Sequence, residues 1–171
     1  MKCRIAGHLE HSLVNGPGIR FVLFMQGCTH HCRGCQNPET WDPSAGVETD
    51  TEKLKEIIKG TKLIDGITLS GGDPILQAEA SAEIASFAKS MGLSVWCYTG
   101  WTFENLLCEK AGEVESLLGN VDVLVDGPFI ESLKSDKCLY RGSTNQRLVD
   151  VRKTLASEDV VEWEPKGGLL I

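Results

Sequence analysis

Three cysteines crowd into eight residues, Cys28-Thr29-His30-His31-Cys32-Arg33-Gly34-Cys35, with the spacing C-x3-C-x2-C. Thiolates are soft ligands, and thiols this close can converge on one metal centre while the chain loops round it. Their number matters. A 4Fe-4S cluster ordinarily takes four cysteine thiolates, so a three-thiol clamp leaves one iron without a protein ligand. An open coordination position on a metal is where a small molecule can bind and react. The competing chemistry is a structural zinc site with His30 or His31 as fourth ligand. Such sites pair a C-x2-4-C spacing with a second ligand pair further along the chain. No second Cys/His pair stands at a suitable distance here, so the spacing favours a cluster.

Other residues have chemistry to offer around such a centre. Gly71, Gly72 and Asp73 stand directly after an apolar stretch. Two glycines let backbone approach a ligand closely, and their carbonyls with the Asp73 carboxylate are acceptors suited to an ammonium group. A plain turn is the bland reading of the same residues. Asp126 closes another apolar stretch, either as a turn cap or as a site residue. His30 and His31 read as solvated loop residues. Cys3, Cys97, Cys108 and Cys138 lack partner spacing and read as small, often buried side chains. Trp41, Trp96, Trp101 and Trp163 read as packing residues.

The elements that must position these groups alternate along the chain. Residues 2–14 read as extended, followed by the turn signal Asn15-Gly16-Pro17-Gly18. Ile19-Arg20-Phe21-Val22-Leu23-Phe24-Met25 is an almost unbroken β-prone run, as in a strand buried on both faces of a parallel sheet. The cysteine loop follows it, and residues 36–47 read as loop. A helix is expected over 49–59, with Thr49 as N-cap and Glu52 completing a capping box. Strands are expected at 66–70, 93–99, 121–126 and 146–151. Helices are expected at 77–91, ended by Gly92, and at 103–110 and 113–118. The tail, 160–171, reads as a last strand with a Gly-rich end.

This cadence is that of a β/α architecture with a mainly parallel sheet. A closed eightfold barrel takes about 250 residues, and the chain has 171. The expected fold is therefore α/β, a partial, open barrel of about five or six strands, in one domain spanning 1–171. Sites in such folds gather at the C-terminal ends of the strands. The cysteine loop, Ser70-Gly71-Gly72-Asp73-Pro74, Tyr98-Thr99-Gly100 and Asp126-Gly127-Pro128 all follow expected strands. They are expected to meet on one rim.

Composition narrows the partners. Hydrophobic residues make up 42% and charged residues 24%, as in globular proteins. The net charge of −7 argues against nucleic acid, which favours a basic face. No apolar run of about 18 residues is present, so no membrane span is expected. The opening Met1-Lys2-Cys3-Arg4-Ile5-Ala6 has no apolar core of a signal peptide. With that opening, seven cysteines point to metal ligation in a reducing cytoplasm rather than to disulfides.

Gly27-Cys28-x3-Cys32-x2-Cys35 after a strand, then Ser70-Gly71-Gly72-Asp73-Pro74, resembles the radical S-adenosylmethionine superfamily. Val14-Asn15-Gly16-Pro17-Gly18-Ile19-Arg20, running into the cysteine loop, is similar to the glycyl-radical-enzyme activases. Cys35-Gln36-Asn37-Pro38, Tyr98-Thr99-Gly100-Trp101, Val125-Asp126-Gly127-Pro128 and Arg141-Gly142-Ser143-Thr144-Asn145-Gln146-Arg147 resemble one branch of them. That branch activates anaerobic ribonucleoside-triphosphate reductases. Gly34 departs from the wider superfamily, which commonly has an aromatic residue there.

The resemblance implies a 4Fe-4S cluster on Cys28, Cys32 and Cys35, with S-adenosylmethionine chelated at the open iron. It implies that Gly71, Gly72 and Asp73 meet the methionine amino group. It places Thr99 and Asp126 near the methionine end, with a monovalent cation, and Asn15 against the substrate protein. One electron would cleave the cofactor to methionine and a 5′-deoxyadenosyl radical, which takes a hydrogen atom from a backbone glycine of the reductase. The implied electron donor is flavodoxin-like. Two alternatives stand beside this: an activase of another glycyl radical enzyme such as pyruvate formate-lyase, and a non-catalytic zinc-stabilised binding module.

Overall fold

The computed structural model describes residues 1–165. Seven strands form one sheet in the order β3-β1-β2-β4-β5-β6-β7. They are β1 Lys2–Ser12, β2 Arg20–Met25, β3 Val47–Asp50, β4 Gly66–Gly71, β5 Ser94–Tyr98, β6 Val123–Asp126 and β7 Arg147–Asp150. The middle is parallel: β2 pairs with β4, β4 with β5, and β5 with β6. The flanks are antiparallel, with β1 on β2, β3 on β1 and β7 on β6. The fold is thus mixed α/β, with more strands than expected and a parallel centre.

The extra strand is β3, which spans the end of the segment read as loop and the first two residues of the expected helix. Its four residues pair Val47 to Asp50 against Ile5 to Lys2. A run that short, half exposed, carries too little alternation to be seen in sequence. Its presence moves the start of helix α1, Thr51–Gly60. The N-cap is Asp50, whose carboxylate accepts the Glu52 amide at 3.0 Å, whereas Thr49 sits in the ladder opposite Cys3. Asp and Thr are both good caps, so the pairing of β3 decided between them.

Four further helices are α2 Ala78–Ser90, α3 Phe103–Glu109, α4 Ala111–Leu118 and α5 Val151–Leu155. A 3-10 turn, Pro74–Gln77, leads into α2, with Asp73 as its cap. Gly92, at φ +77°, follows α2 in the left-handed conformation that suits glycine after a helix. The tail expected to be a strand contributes one antiparallel bridge, Glu162 to Val149; residues 166–171 lie outside the described residues.

Alternation along the strands separates two faces. Phe21, Leu23, Ile67, Leu69, Val95 and Leu124 point to the helical side and are buried there. Leu54 and Ile58 of α1, Ile84 and Ala88 of α2, Leu106 of α3 and Leu117 of α4 close on them. The opposite face carries Arg20, Phe24, Thr68, Ser70, Trp96 and Tyr98. Among the described residues no helix covers it; loops from the strand ends do. Across β5, β6 and β7 on that face, Trp96, Val123, Val125 and Leu148 form a smaller apolar cluster with Tyr140 and Trp163.

Candidate active site

The C-terminal ends of β2, β4, β5 and β6 border a cavity of about 370 Å³, within the usual range of small-molecule sites. Cys28, Cys32 and Cys35 line it. So do Gly71, Gly72, Asp73 and Thr99, and Asn15 from the turn before β2. A wider groove of about 1030 Å³ crosses the helical face between Lys55 and Glu113. It holds no thiol and none of the strand-end segments, so the chemistry belongs to the smaller cavity.

The cysteine loop is clamped at its root. Gly27, at φ +100°, donates its amide to the Thr40 carbonyl at 2.7 Å, and Cys28 donates to Trp41 at 3.1 Å. The amide of Asp73 donates to the Gly27 carbonyl at 2.8 Å. The end of β2 and the end of β4 are therefore stitched together directly beneath the thiols. A methyl group at Gly72 would drive into the Gly27 carbonyl, so a side chain there would prise the two loops apart. Gly34 has a positive φ of +74° and lies against the Glu131 side chain. The left-handed backbone conformation gives the reason for glycine there.

Burial pushes the Cys28 and Cys32 thiols above their ordinary pKa. Both are protonated at neutral pH without metal, and binding iron must expel the protons. Among the described residues, no three Cys, His, Asp or Glu side chains meet at a point suited to a single ion. The three thiols stand around a shared cavity instead.

Asp73 sits at the centre of the rim, 1% exposed. Its Oδ2 accepts from His30 Nε2 at 2.9 Å, Thr99 Oγ1 at 2.9 Å and the Gly100 amide at 3.1 Å. Its Oδ1 caps the following turn through the Ile75 amide at 3.0 Å. One carboxylate thus ties the cysteine loop, the end of β4 and the end of β5 to one another. Thr99 is buried and turned to Asp73, and its hydroxyl accepts the Trp101 amide at 3.2 Å.

His30 is the rim residue that the sequence concealed. Read as a solvated loop residue, it is mostly buried, stands edge-on to Trp101 and lies flat against the Gly100 backbone. Its position among three thiols, opposite an acid on the same rim, was the available signal. His31 is exposed, at φ +47°, beside Trp41. Trp41 also faces the cavity, and its buried indole N–H has no hydrogen-bond partner among the described residues.

Asp126 is not brought to the cavity. Its carboxylate is buried and committed to Arg147, with Nε at 3.0 Å and Nη2 at 2.5 Å, and to the Phe103 amide at 2.8 Å. Arg147 continues into a second, bidentate pair with Glu104 at 2.7 and 2.9 Å. The strand end was read correctly from the sequence, but the pleat of β6 gives the side chain the same face as Leu124, the helical side of the sheet, where Arg147, opposite it in β7, holds it.

A family model described as a 4Fe-4S single cluster domain matches residues 14–149. A protein of Enterobacteria phage T4 named anaerobic ribonucleoside-triphosphate reductase-activating protein is 38% identical over 141 residues, covering 79% of this chain and 86% of the relative. Its namesake in Vibrio cholerae is 39% identical over 142 residues, covering 78% and 89%. The Escherichia coli K12 protein of that name is 34% identical over 143 residues, covering 78% and 90%. Among solved structures, QueE from Escherichia coli overlays with a TM-score of 0.48 at 16% identity, over 60% of this chain and 54% of that one.

Proposed function

The chain belongs to the anaerobic ribonucleoside-triphosphate reductase-activating proteins, and on that premise we propose that it installs a glycyl radical on such a reductase. The observation that carries the reading is the convergence of three thiols and the Gly71-Gly72-Asp73 turn on one cavity. Cys28, Cys32 and Cys35 hold a 4Fe-4S cluster, and the donor set of three soft thiolates with no fourth fits it. When bound, the cluster supplies the electron that cleaves S-adenosylmethionine at its open iron to methionine and a 5′-deoxyadenosyl radical.

The chain's own residues position and shield. Gly71 and Gly72 line the cavity, where the methionine amino group would come against their backbone; a side chain at either would meet the backbone of Met25 or Gly27 and push the turn out of place. Asp73 braces that turn and, through His30 and Thr99, fixes its distance from the thiols. The positive charge that a monovalent cation would bring beside Asp126 is supplied by Arg147. Asn15, at the mouth, faces the incoming protein substrate. Glycine suits as target because its Cα can approach a reactive centre without a side chain in the way.

We read the sheet, helices on one face and cavity at the strand ends of the other, as an open β/α barrel forming one radical S-adenosylmethionine domain over 1–171. An external, flavodoxin-like one-electron donor completes the reaction. No helix among the described residues is long and apolar enough to cross a membrane, which accords with a cytoplasmic setting.

Anaerobic reconstitution with iron and sulfide tests the reading. The loaded protein, given reductant, S-adenosylmethionine and the reductase, is expected to produce a glycyl radical by electron paramagnetic resonance. Changing any one of Cys28, Cys32 or Cys35 to Ala is expected to abolish 5′-deoxyadenosine formation. A colourless protein that retains zinc, without iron or acid-labile sulfide, refutes the proposal.

A further inference from the structure

Arg20 is fully buried on the face of the sheet opposite the helices, and among the described residues no carboxylate pairs with it. Burying a guanidinium is costly unless each donor is met. Here neutral oxygens meet them. Nη1 donates to Ser94 Oγ at 2.6 Å, Nη2 to the carbonyls of Ile67 and Ser94, and Nε to Thr68 Oγ1 at 3.1 Å. The Trp96 ring lies 5.8 Å from the guanidinium carbon. Burial lowers the pKa to about 10, which still leaves the group charged at neutral pH.

Thr68 passes this anchorage on. With its oxygen accepting from Arg20, its hydroxyl proton is directed outward to the Asn15 carbonyl, at 2.7 Å. The next residue, Gly16 at φ +130°, packs against Trp96 and Arg20 so closely that a Cβ would crowd both. Asn15 is held at its other end too, where Ser12 Oγ donates to Oδ1 at 2.6 Å. Its Nδ2 donates to nothing among the described residues, and the residue lines the cavity beside the exposed Val14. A fixed, unspent amide donor at a cavity mouth is suited to a peptide carbonyl.

We propose that Thr68, locked by Arg20, is a positioning residue for the protein substrate: it fixes the Asn15 backbone so that the carboxamide donates to a peptide carbonyl of the entering loop. Thr68 does not line the cavity and touches neither the thiols nor the Gly71-Gly72-Asp73 turn. Its loss therefore acts on the partner's loop and spares the cofactor. The inference rests on the reading of the chain as a reductase activase.

The test compares Thr68→Val, which keeps shape and removes the hydroxyl, with Thr68→Ser, which keeps the hydroxyl. Two rates are measured on reconstituted protein: 5′-deoxyadenosine formed without partner, and glycyl radical formed on the reductase. Thr68→Val is expected to raise the KM for the reductase about tenfold, the size of a lost hydrogen bond with its partner left unmet. Partner-free cleavage stays within about twofold, and Thr68→Ser recovers most of the loss. Equal loss of both rates, or no change in either, overturns the proposal. Should Thr68→Val not fold, Ser12→Ala carries the test, with the same split expected and the same outcomes overturning it. Wild-type protein that forms no 5′-deoxyadenosine contradicts the activase reading itself.

Discussion

The carboxylate of Asp73 accepts from His30, Thr99, Gly100 and Ile75, which belong to three different segments of the rim. An amide in its place must turn its NH2 either toward the first three donors or toward the fourth. Either way a buried donor faces a donor, at a cost of roughly 2–3 kcal/mol. Asp73→Asn is accordingly expected to lower the melting temperature by roughly 5–10 °C and to weaken S-adenosylmethionine binding. Unchanged values of both by calorimetry and ligand titration would contradict the role given to it. The sequence marked Asp73 as a group for a ligand's ammonium; the structure adds that its acceptor positions already brace the chain. Thr99 was legible only as a neighbour of the rim, because nothing local tells that its hydroxyl turns to Asp73.

Between elements, Arg147 of β7 fastens the end of β6 through Asp126 and the start of α3 through Glu104. The Glu104 carboxyl is held down to about 2 by its hydrogen bonds to Arg147, against about 4.3 for a free glutamate. The folded pKa is depressed, so this stabilisation is fully present above about pH 4.3 and is lost as the pH falls toward 2. Glu104 is about half exposed, and solvent screening limits the pair to about 1 kcal/mol or less. Urea unfolding at pH 7 and pH 3 is expected to show a smaller acid loss in Glu104→Gln than in wild type. Identical losses in the two proteins would sink the pairing as a source of acid sensitivity. The strand end at Asp126 could be foreseen from its apolar run, but its partner could not. Arg147 reaches it only because β7 turns back antiparallel on β6.

Across the whole molecule, apolar packing and chemistry lie on different sides of the sheet. The core between sheet and helices includes Phe21, Leu69, Ile84 and Leu117 but none of the three clustered cysteines. Those thiols sit in a loop held by backbone hydrogen bonds at its root. Removing the cluster by chelation is therefore expected to leave far-ultraviolet circular dichroism unchanged. The melting temperature is expected to fall by a few degrees, as for loss of a ligand bound to the folded state. Collapse of the spectrum on chelation would instead indicate a fold that depends on its metal, as in small zinc modules.

The chain's order along the sequence determined a good deal by itself. Apolar runs ending in Gly27-Cys28, Ser70-Gly71 and Tyr98-Thr99 fixed the parallel strands and the side on which their loops emerge, because strand ends in β/α units face one way. Three thiols at C-x3-C-x2-C limited the metal chemistry, because ligand number and softness are local properties. Tertiary structure alone decided what depends on distant pairing. The short β3 exists because β1 offers it an edge, and with it the cap passed from Thr49 to Asp50. His30 became a link of the rim because Asp73 stands 43 residues away in sequence and 2.9 Å away in space. Asp126 lies away from the cavity because the pleat of β6 gives it the face of Leu124, which the fold packs against the helices, and a guanidinium from β7 pairs with it there. The place of each strand along the chain follows from local pattern, whereas the partners of a polar side chain are whichever charges or donors the fold brings against it.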